Sequence, residues 1–576
     1  MSDNHFPSIY QQFIYISRYS KYLESQSRRE TWTETITRYF DHFEWYLKEY
    51  HNFDLAPYRL ELEDAVLSLD VMPSMRALMT AGPALKRDPA AVFNCAFLPI
   101  DNIRAFDEMI YTLMLGSGVG FSVESRYVSQ IPALPEEFHH TDTTVVIEDS
   151  KLGWAKGYRE FVSLLMNGQI PKYDTSKIRN KGSRLKTFGG RASGPDPLID
   201  LLEFTKTIFT KAAGRKLSTI DCHDICCKIA DIVVVGGVRR SALISLSDLV
   251  DDRMKDAKTG AWWNLNPHRR LSNNSAVYEE KPEIGVFMRE WLSLYDSKSG
   301  ERGIFSREAA KMVIEHSNDF RVKYFGEGVR IRDSSFAVGT NPCAEILLRN
   351  NEFCNLSSVQ VREKDNLETL KRKVRVAMIL GTIQSCLTNF KYINKKWKQN
   401  CEDERLLGVS LNGIYDNALT NGSNGDAKLI SALIDLRKTA IQTNIEWAGK
   451  LGINVSAAIT CVKPEGCLSL DTKIKTSYGI KTMAEVASIL TNHNIFEIDP
   501  NQIGVWIEPE RELYVFDENN EKQKITSLYI NGIKDVFEIE MDDGTIAKLT
   551  KDHQLKTSNG WKKAEDLAVG DEILSF

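Results

Sequence analysis

The sequence predicts an α/β fold with much parallel strand, preceded by a helical region and followed by an all-β module. Three observations carry this reading. Residues 1–85 repeat aromatic, charged and leucine residues at helical spacing, as in YFDHFEWYLKEY and YRLELEDAVLSL. Residues 86–466 interleave short apolar runs with longer amphipathic segments, as a largely parallel sheet with helical crossovers requires. Residues 467–576 switch to alternating strand patterns with Asn-Gly and Asp-Gly turns.

Taken in order, the helical pattern of the first region breaks at Pro73. In the second region VFNCAFL, GVGFSVE, DIVVVGG, ALISL and GIFS read as strands. LIDLLEFTKTIFTKAAG and LKRKVRVAMILGTIQSCL read as helices. Glycine clusters at 116–120, 188–195 and 236–241 punctuate the region, but none has the spacing of a dinucleotide fingerprint or a P-loop. In the third region ELYVFDENN, KITSLYINGIKDVFEIEMDDGTIAKLTKDHQLKT and GWKKAEDLAVGDEIL alternate as strands. VKPEG runs straight into CLSLDT with no linker, whereas fused domains usually have an exposed one.

Composition narrows the class. The chain has 576 residues, 42% hydrophobic and 26% charged, with a net charge of −5. That mild acidity gives no field to attract nucleic acid, so direct nucleic-acid binding is not expected. The opening MSDNHFPSIYQQF lacks a secretory layout, and no apolar run reaches the ~18 residues of a membrane span. IADIVVVGG, among the longer runs, reads as a buried strand. A cytoplasmic chain without a membrane partner is expected, and its ten cysteines should be mostly reduced. Cys386 and Cys401 read as packing residues in helical stretches. Cys222, Cys226 and Cys227 lie in an apolar helical register with no second ligand pair, so they read as a core helix and no metal is expected.

The segment Gly339-Thr340-Asn341-Pro342-Cys343-Ala344-Glu345-Ile346 places a thiol and a carboxylate two residues apart. If it is extended, alternate side chains point the same way, and Asn341, Cys343 and Glu345 converge on one ligand. Pro342 stiffens the segment, and Cys354 follows in NEFCNLSS. Taken alone, such a pair is usually a buried cysteine beside a surface carboxylate. The whole string, however, resembles the finger loop of ribonucleotide reductases. MPSMRALMTAG, FNCAFLP with Cys95, GSGVGFSVESRYVSQIP, FGGRASGPDPLIDLL, GGVRRSA, RRLSNNSAV and CVKPEG resemble, in order, the adenosylcobalamin-dependent (class II) branch. The likeness runs from about residue 55 to 466 and implies a ten-stranded reductase-type α/β barrel, incomplete in this chain.

The resemblance implies roles. Cys343 would be the transient thiyl radical that takes and returns the ribose 3′-hydrogen. Glu345 would act as base on the 3′-hydroxyl, and Asn341 would orient it. Cys95 and Cys354 would be the dithiol that ends as a disulfide, with Cys95 protonating the departing 2′-hydroxyl. Ser74 and Asn94 match positions near the substrate diphosphate. Lys463, Pro464 and Gly466 match a second phosphate turn, in which Glu465 stands where the family usually has serine. The radical source implied is adenosylcobalamin, on the resemblance of those internal motifs, since the C-terminal regions that carry the tyrosines of the diiron branch and the glycine motif of the glycyl branch are not in this chain. The implied partners are a ribonucleotide and, after completion, a thioredoxin-type reductant. VVIEDSKLGWAKGYREFVSLLMNG followed by KIRNKGSRLKTFGG suits a deoxynucleotide effector site, though Arg179, Lys181 and Arg184 suit a solvated basic loop equally.

CLSLDTKIKTSYG resembles the opening of inteins, and Thr550 with His553 resembles their TxxH motif, followed by GDEIL. The resemblance implies a Hint module in which the Cys467 thiol attacks the Gly466 carbonyl, while Thr550 and His553 activate that peptide bond. His493-Asn494 is followed by isoleucine and reads as a decoy for the terminal His-Asn. The expectation is therefore a reductase interrupted by an N-terminal split-intein segment. It would become active after trans-splicing with a second precursor polypeptide that carries the C-terminal intein half. A truncated reading frame in place of a natural split gene, a Hint-type autoprocessing protein with a non-catalytic passenger, or a class I large-subunit fragment are the alternatives.

Overall fold

The computed structural model describes residues 5–6, 12, 15–16, 19–183, 192–235, 238–239 and 242–462, with ten short strands between residues 473 and 563. The chain divides into two units, Arg18–Lys463 and a second one of Met1–Ser17 with Pro464–Phe576. No division falls at residue 85.

In the first unit the strands that matter are β1 (Cys95–Pro99), β2 (Gly118–Ser122), β3 (Leu243–Asp248), β4 (Ser272–Tyr278), β5 (Gly303–Ser306), β6 (Gly339–Thr340), β7 (Leu347–Leu348), β8 (Glu352–Gln360) and β9 (Leu407–Asn412). The main sheet runs β5-β4-β3-β2-β1-β8-β9, with Val71–Met72 added against β8. β1 to β5 are mutually parallel, β8 and β9 are parallel to each other, and the two groups meet antiparallel at β1 and β8. The result is a curled half-barrel sheet rather than a closed barrel. Strands of this kind are covered on both faces and so are rich in apolar residues; all five residues of β1 are buried.

The helices used below are α1 (Trp32–His51), α2 (Arg104–Leu115), α3 (Lys151–Met166), α4 (Asp196–Lys211), α5 (Thr219–Ile232), α6 (Arg307–Phe325), α7 (Leu367–Gln384), α8 (Lys395–Glu404) and α9 (Asp426–Leu451). Local sequence starts several of them. Thr31 and Glu34 form a capping box on α1, as do Ser218 and Asp221 on α5, each satisfying amides that a helix start leaves open. α1 buries Ile36, Tyr39, Phe40, Phe43 and Leu47. Its Tyr39 hydroxyl lies 3.2 Å from Gln384 Oε1 at the end of α7. The helical N-terminal segment is thus built into the sheet unit.

One sequence expectation fails here. IADIVVVGG is not a buried strand: α5 runs through Ile232, and among the described residues of the run only Val234–Val235 forms a strand. The capping box and the Cys222, Cys226 and Cys227 spacing extend one helical register through Ile229 and Ile232; helical periodicity outweighs the β-branched run. Those three cysteines are fully buried on α5.

In the second unit, each described segment beyond residue 472 is a short strand, and all the pairings are antiparallel. Lys463, Pro464, Gly466, Cys467, Thr550, His553 and the His493-Asn494 pair lie outside the described residues. Among the described residues no helix is long and apolar enough to cross a membrane.

Candidate active site

β1 and β8 bring two thiols face to face. Cys95 and Cys354 are directly opposed in the antiparallel register, and both are almost wholly buried. Directly opposed residues in such a ladder have Cα atoms roughly 4.5–5.5 Å apart, within the span a disulfide needs. Burial pushes the Cys354 thiol well above its ordinary range, with Cys95, Cys461, Glu352 and Glu345 adding to it.

Against this pair stands the cysteine loop. β6 and β7 form a minimal antiparallel ladder, Gly339 opposite Leu348 and Thr340 opposite Leu347. The extended geometry expected for Asn341, Cys343 and Glu345 does not form. The chain makes a β-turn over Asn341-Pro342-Cys343-Ala344, closed by the Ala344 N–H donating to the Asn341 carbonyl at 2.9 Å. Proline suits the second position of such a turn and asparagine the first; Ala344, at φ 61°, completes the reversal. Asn341 and Glu345 still come together. The Asn341 Nδ2 donates to Glu345 Oε2 at 2.6 Å and to Cys95 Sγ at 3.3 Å. Its Oδ1 accepts from the Ile346 N–H at 3.1 Å. Asn341 therefore joins the carboxylate of the loop to a thiol of the sheet, while Cys343 is exposed at the turn.

The GSGVG segment, which fits no nucleotide motif, seats this loop. A Cβ on Gly120 would lie 1.7 Å from the Thr340 carbonyl oxygen, and one on Gly118 would lie 3.2 Å from Pro342. From the loop side, a Cβ on Gly339 would strike the Phe97 ring at 2.1 Å. Only bare backbone permits this approach.

Ser74 and Asn94 are also brought together. The Ser74 hydroxyl lies 2.9 Å from Asn94 Oδ1 and 2.8 Å from the Val92 carbonyl. Asn94 Oδ1 accepts from the Leu356 N–H in β8 at 3.1 Å. These groups brace the start of β1 beside Cys95. Lys463, Pro464 and Gly466, expected near them, lie outside the described residues. Of the effector candidates, Arg179 pairs with Asp149 at 2.8 Å, Lys181 is exposed, and Arg184 lies outside the described residues. Arg179 and Lys181 follow a βαβ unit in which His139–Val146 pairs parallel with Gln169–Asp174 across α3.

Sequence reasoning missed two features. Cys461 packs against the cluster that contains Cys95, Cys354 and Ile346, its sulfur 3.0 Å from where a Gly408 Cβ would stand. Arg307 and Arg332 each donate to a carbonyl on one leg of the cysteine loop. Nothing in residue spacing marks either, because each partner is distant in the chain.

The family model for the insertion domain of B12-dependent ribonucleotide reductase matches residues 135–209, which include α3, Arg179 and Lys181. The adenosylcobalamin-dependent ribonucleoside-triphosphate reductase of Lactobacillus gasseri is 27% identical, over 79% of this chain and 71% of its own length. The protein of the same name from Euglena gracilis is 26% identical, over 79% of this chain and 62% of its own. The crystal structure of a B12-dependent (class II) ribonucleotide reductase shares the fold, with a TM-score of 0.66 at 23% identity over 79% of this chain and 72% of that one. Over much of its length, this chain is therefore similar to class II, B12-dependent ribonucleotide reductases, and residues 135–209 match the insertion domain of that family.

Proposed function

We propose that residues 18–463 form the catalytic front part of a ribonucleotide reductase that uses adenosylcobalamin and draws its two electrons from Cys95 and Cys354. The observation that carries the reading is the direct opposition of those thiols under a loop whose Asn341 binds both Cys95 and Glu345. Removal of a ribose 2′-hydroxyl needs a hydrogen acceptor at C3′, a base, an acid and two reducing equivalents, and these residues supply each.

A sulfur radical on Cys343 takes the 3′-hydrogen, since S–H and C–H bonds are of comparable strength. Glu345 accepts the 3′-hydroxyl proton. Cys95 protonates the 2′-hydroxyl, which leaves as water. Two electrons and a second proton come from the Cys95–Cys354 pair, which closes as a disulfide; Glu345 gives its proton back to the 3′-oxygen, and Cys343 then returns its hydrogen to C3′. The high pKa direction of Cys354 keeps that thiol protonated until it is used. An external dithiol of the thioredoxin type restores the pair by exchange.

The exposed position of Cys343 fits a bulky external radical source. When bound, adenosylcobalamin would supply the one-electron oxidation of the Cys343 thiol. The triphosphate specificity named for the relatives extends naturally to this chain. In the spliced enzyme, Cys343→Ser should abolish reduction while leaving the fold and melting temperature unchanged, because a serine O–H bond is too strong for the relay. Turnover by that variant in the presence of adenosylcobalamin would remove Cys343 from the mechanism.

For residues 467–576, the CLSLDT opening and the Thr550/His553 spacing support service as the N-terminal half of a split intein. The antiparallel short strands are in keeping with it. In that reading the Cys467 sulfur attacks the Gly466 carbonyl, the peptide C–N bond breaks, and the amide nitrogen takes the proton while a thioester forms. Joining to the remainder of the reductase then follows from a partner polypeptide.

A further inference from the structure

The cysteine loop rests on a ladder of two residue pairs, too short to hold a shape by itself. The glycine seat lets it lie low but supplies no force that keeps it there. Two buried arginines do. Arg307, the first residue of α6, forks Glu124 with both terminal nitrogens at 2.7 Å. Its Nε donates to the carbonyl of Val338, immediately before β6, at 3.2 Å. Arg332 holds Glu404 through Nε at 3.0 and 3.1 Å and through Nη2 at 2.7 Å. That Nη2 also lies 3.0 Å from the carbonyl of Leu347, in β7. One arginine thus grips each leg of the loop.

Both depend on one helix. Arg307 begins α6, and Asn318 in α6 fixes the Arg332 backbone, accepting from its N–H and donating to its carbonyl, each at 2.8 Å. Arg307 is 7% exposed, Arg332 4%, Glu124 1% and Glu404 0%. Buried ion pairs are poor sources of stability, since apolar replacements are often neutral or better. Their geometry is what is specific: a rigid guanidinium can fork a carboxylate and still direct an N–H at a fixed third acceptor, which an ammonium cannot.

We propose that Arg307 and Arg332 are positioning residues, a two-point clamp that sets where the Cys343 turn stands relative to Cys95 and Cys354. The inference rests on the reading of Cys343 as the reactive residue of that turn.

The test is amide hydrogen exchange on the full chain carrying Arg307→Lys or Arg332→Lys, read together with the melting temperature. Lysine keeps the charge beside Glu124 or Glu404 but lacks the planar fork that holds the carboxylate by two bonds and fixes the direction of the third N–H. The amides of Ala344 and Ile346, whose acceptors are both on Asn341, should exchange on the order of tenfold faster, with β1, β2 and β8 unchanged. Equal loss of protection across those strands would reduce the arginines to general stabilisers, and an unchanged loop would overturn the clamp. Should a lysine variant fail to fold, Asn318→Ala leaves the Arg332–Glu404 pair intact and should still loosen the same two amides. An unchanged loop in Asn318→Ala would also count against the clamp. Exchange does not depend on turnover, so this result stands apart from the Cys343→Ser assay.

Discussion

At the scale of single residues, thiol chemistry separates Cys343 from Cys354. The thiolate is the reactive form, and burial raises the pKa of Cys354 well above its ordinary value, whereas Cys343 is exposed. A raised pKa means that the thiolate becomes populated only at higher pH, so Cys354 should resist alkylation across pH 7–9. Iodoacetamide at pH 8 should label Cys343 first and reach Cys354 only on unfolding. Mild oxidation with diamide should instead link Cys95 to Cys354, since the reagent is small and the register already opposes them. Peptide mapping reads both results. A Cys343–Cys354 link formed in preference would mean that the pair has been assigned wrongly.

At the scale of elements, β2 and the cysteine loop are matched by what they lack. Gly120→Ala sets a methyl against a carbonyl of the backbone, which cannot rotate aside as a side chain would. Overpacking of this kind costs roughly 1–3 kcal/mol, and urea unfolding should show a loss in that range. Gly449 is the contrasting case: it lies in α9, its φ is not positive, and nothing stands within 4 Å of its Cβ position. Gly449→Ala should stabilise the chain by about 0.5–1 kcal/mol through helix propensity alone. A Gly120→Ala chain as stable as the parent would mean that the loop does not need its seat.

At the scale of the whole molecule, the prediction concerns the junction at Gly466-Cys467. Mixed with a polypeptide that carries a matching C-terminal intein half, the chain should lose residues 467–576 and gain the partner's extein through a native peptide bond. Cys467→Ala should stop this at the first step, because alanine offers no nucleophile. His553→Ala should slow it severely, since departure of the amide nitrogen then lacks its proton donor. Gel mobility and intact mass after mixing decide the matter. Ligation by the Cys467→Ala chain would exclude the thioester route.

Periodicity and caps are local, and for that reason the sequence alone determined the strands at Cys95–Pro99, Gly118–Ser122 and Gly303–Ser306 and the helices over 196–211 and 367–384. It also determined the candidate residues Cys343, Glu345, Asn341, Cys95 and Cys354, through ordered motifs that each fit within a short window. Where a window held two competing signals, as at IADIVVVGG, helical register prevailed over β-branching only because α5 was already nucleated upstream. Residues Asn341–Ala344 form a turn and not the extended stretch that convergence by alternation requires, and the Asn-Pro start is its local signal. Tertiary structure alone decided the rest. The opposition of Cys95 and Cys354 comes from a pairing between strands more than 250 residues apart, and the Arg307–Glu124 and Arg332–Glu404 pairs span 183 and 72 residues. Such contacts depend on how the sheet curls and which strands become neighbours. Those are set by burial summed over the whole unit, and no local pattern of residues records them.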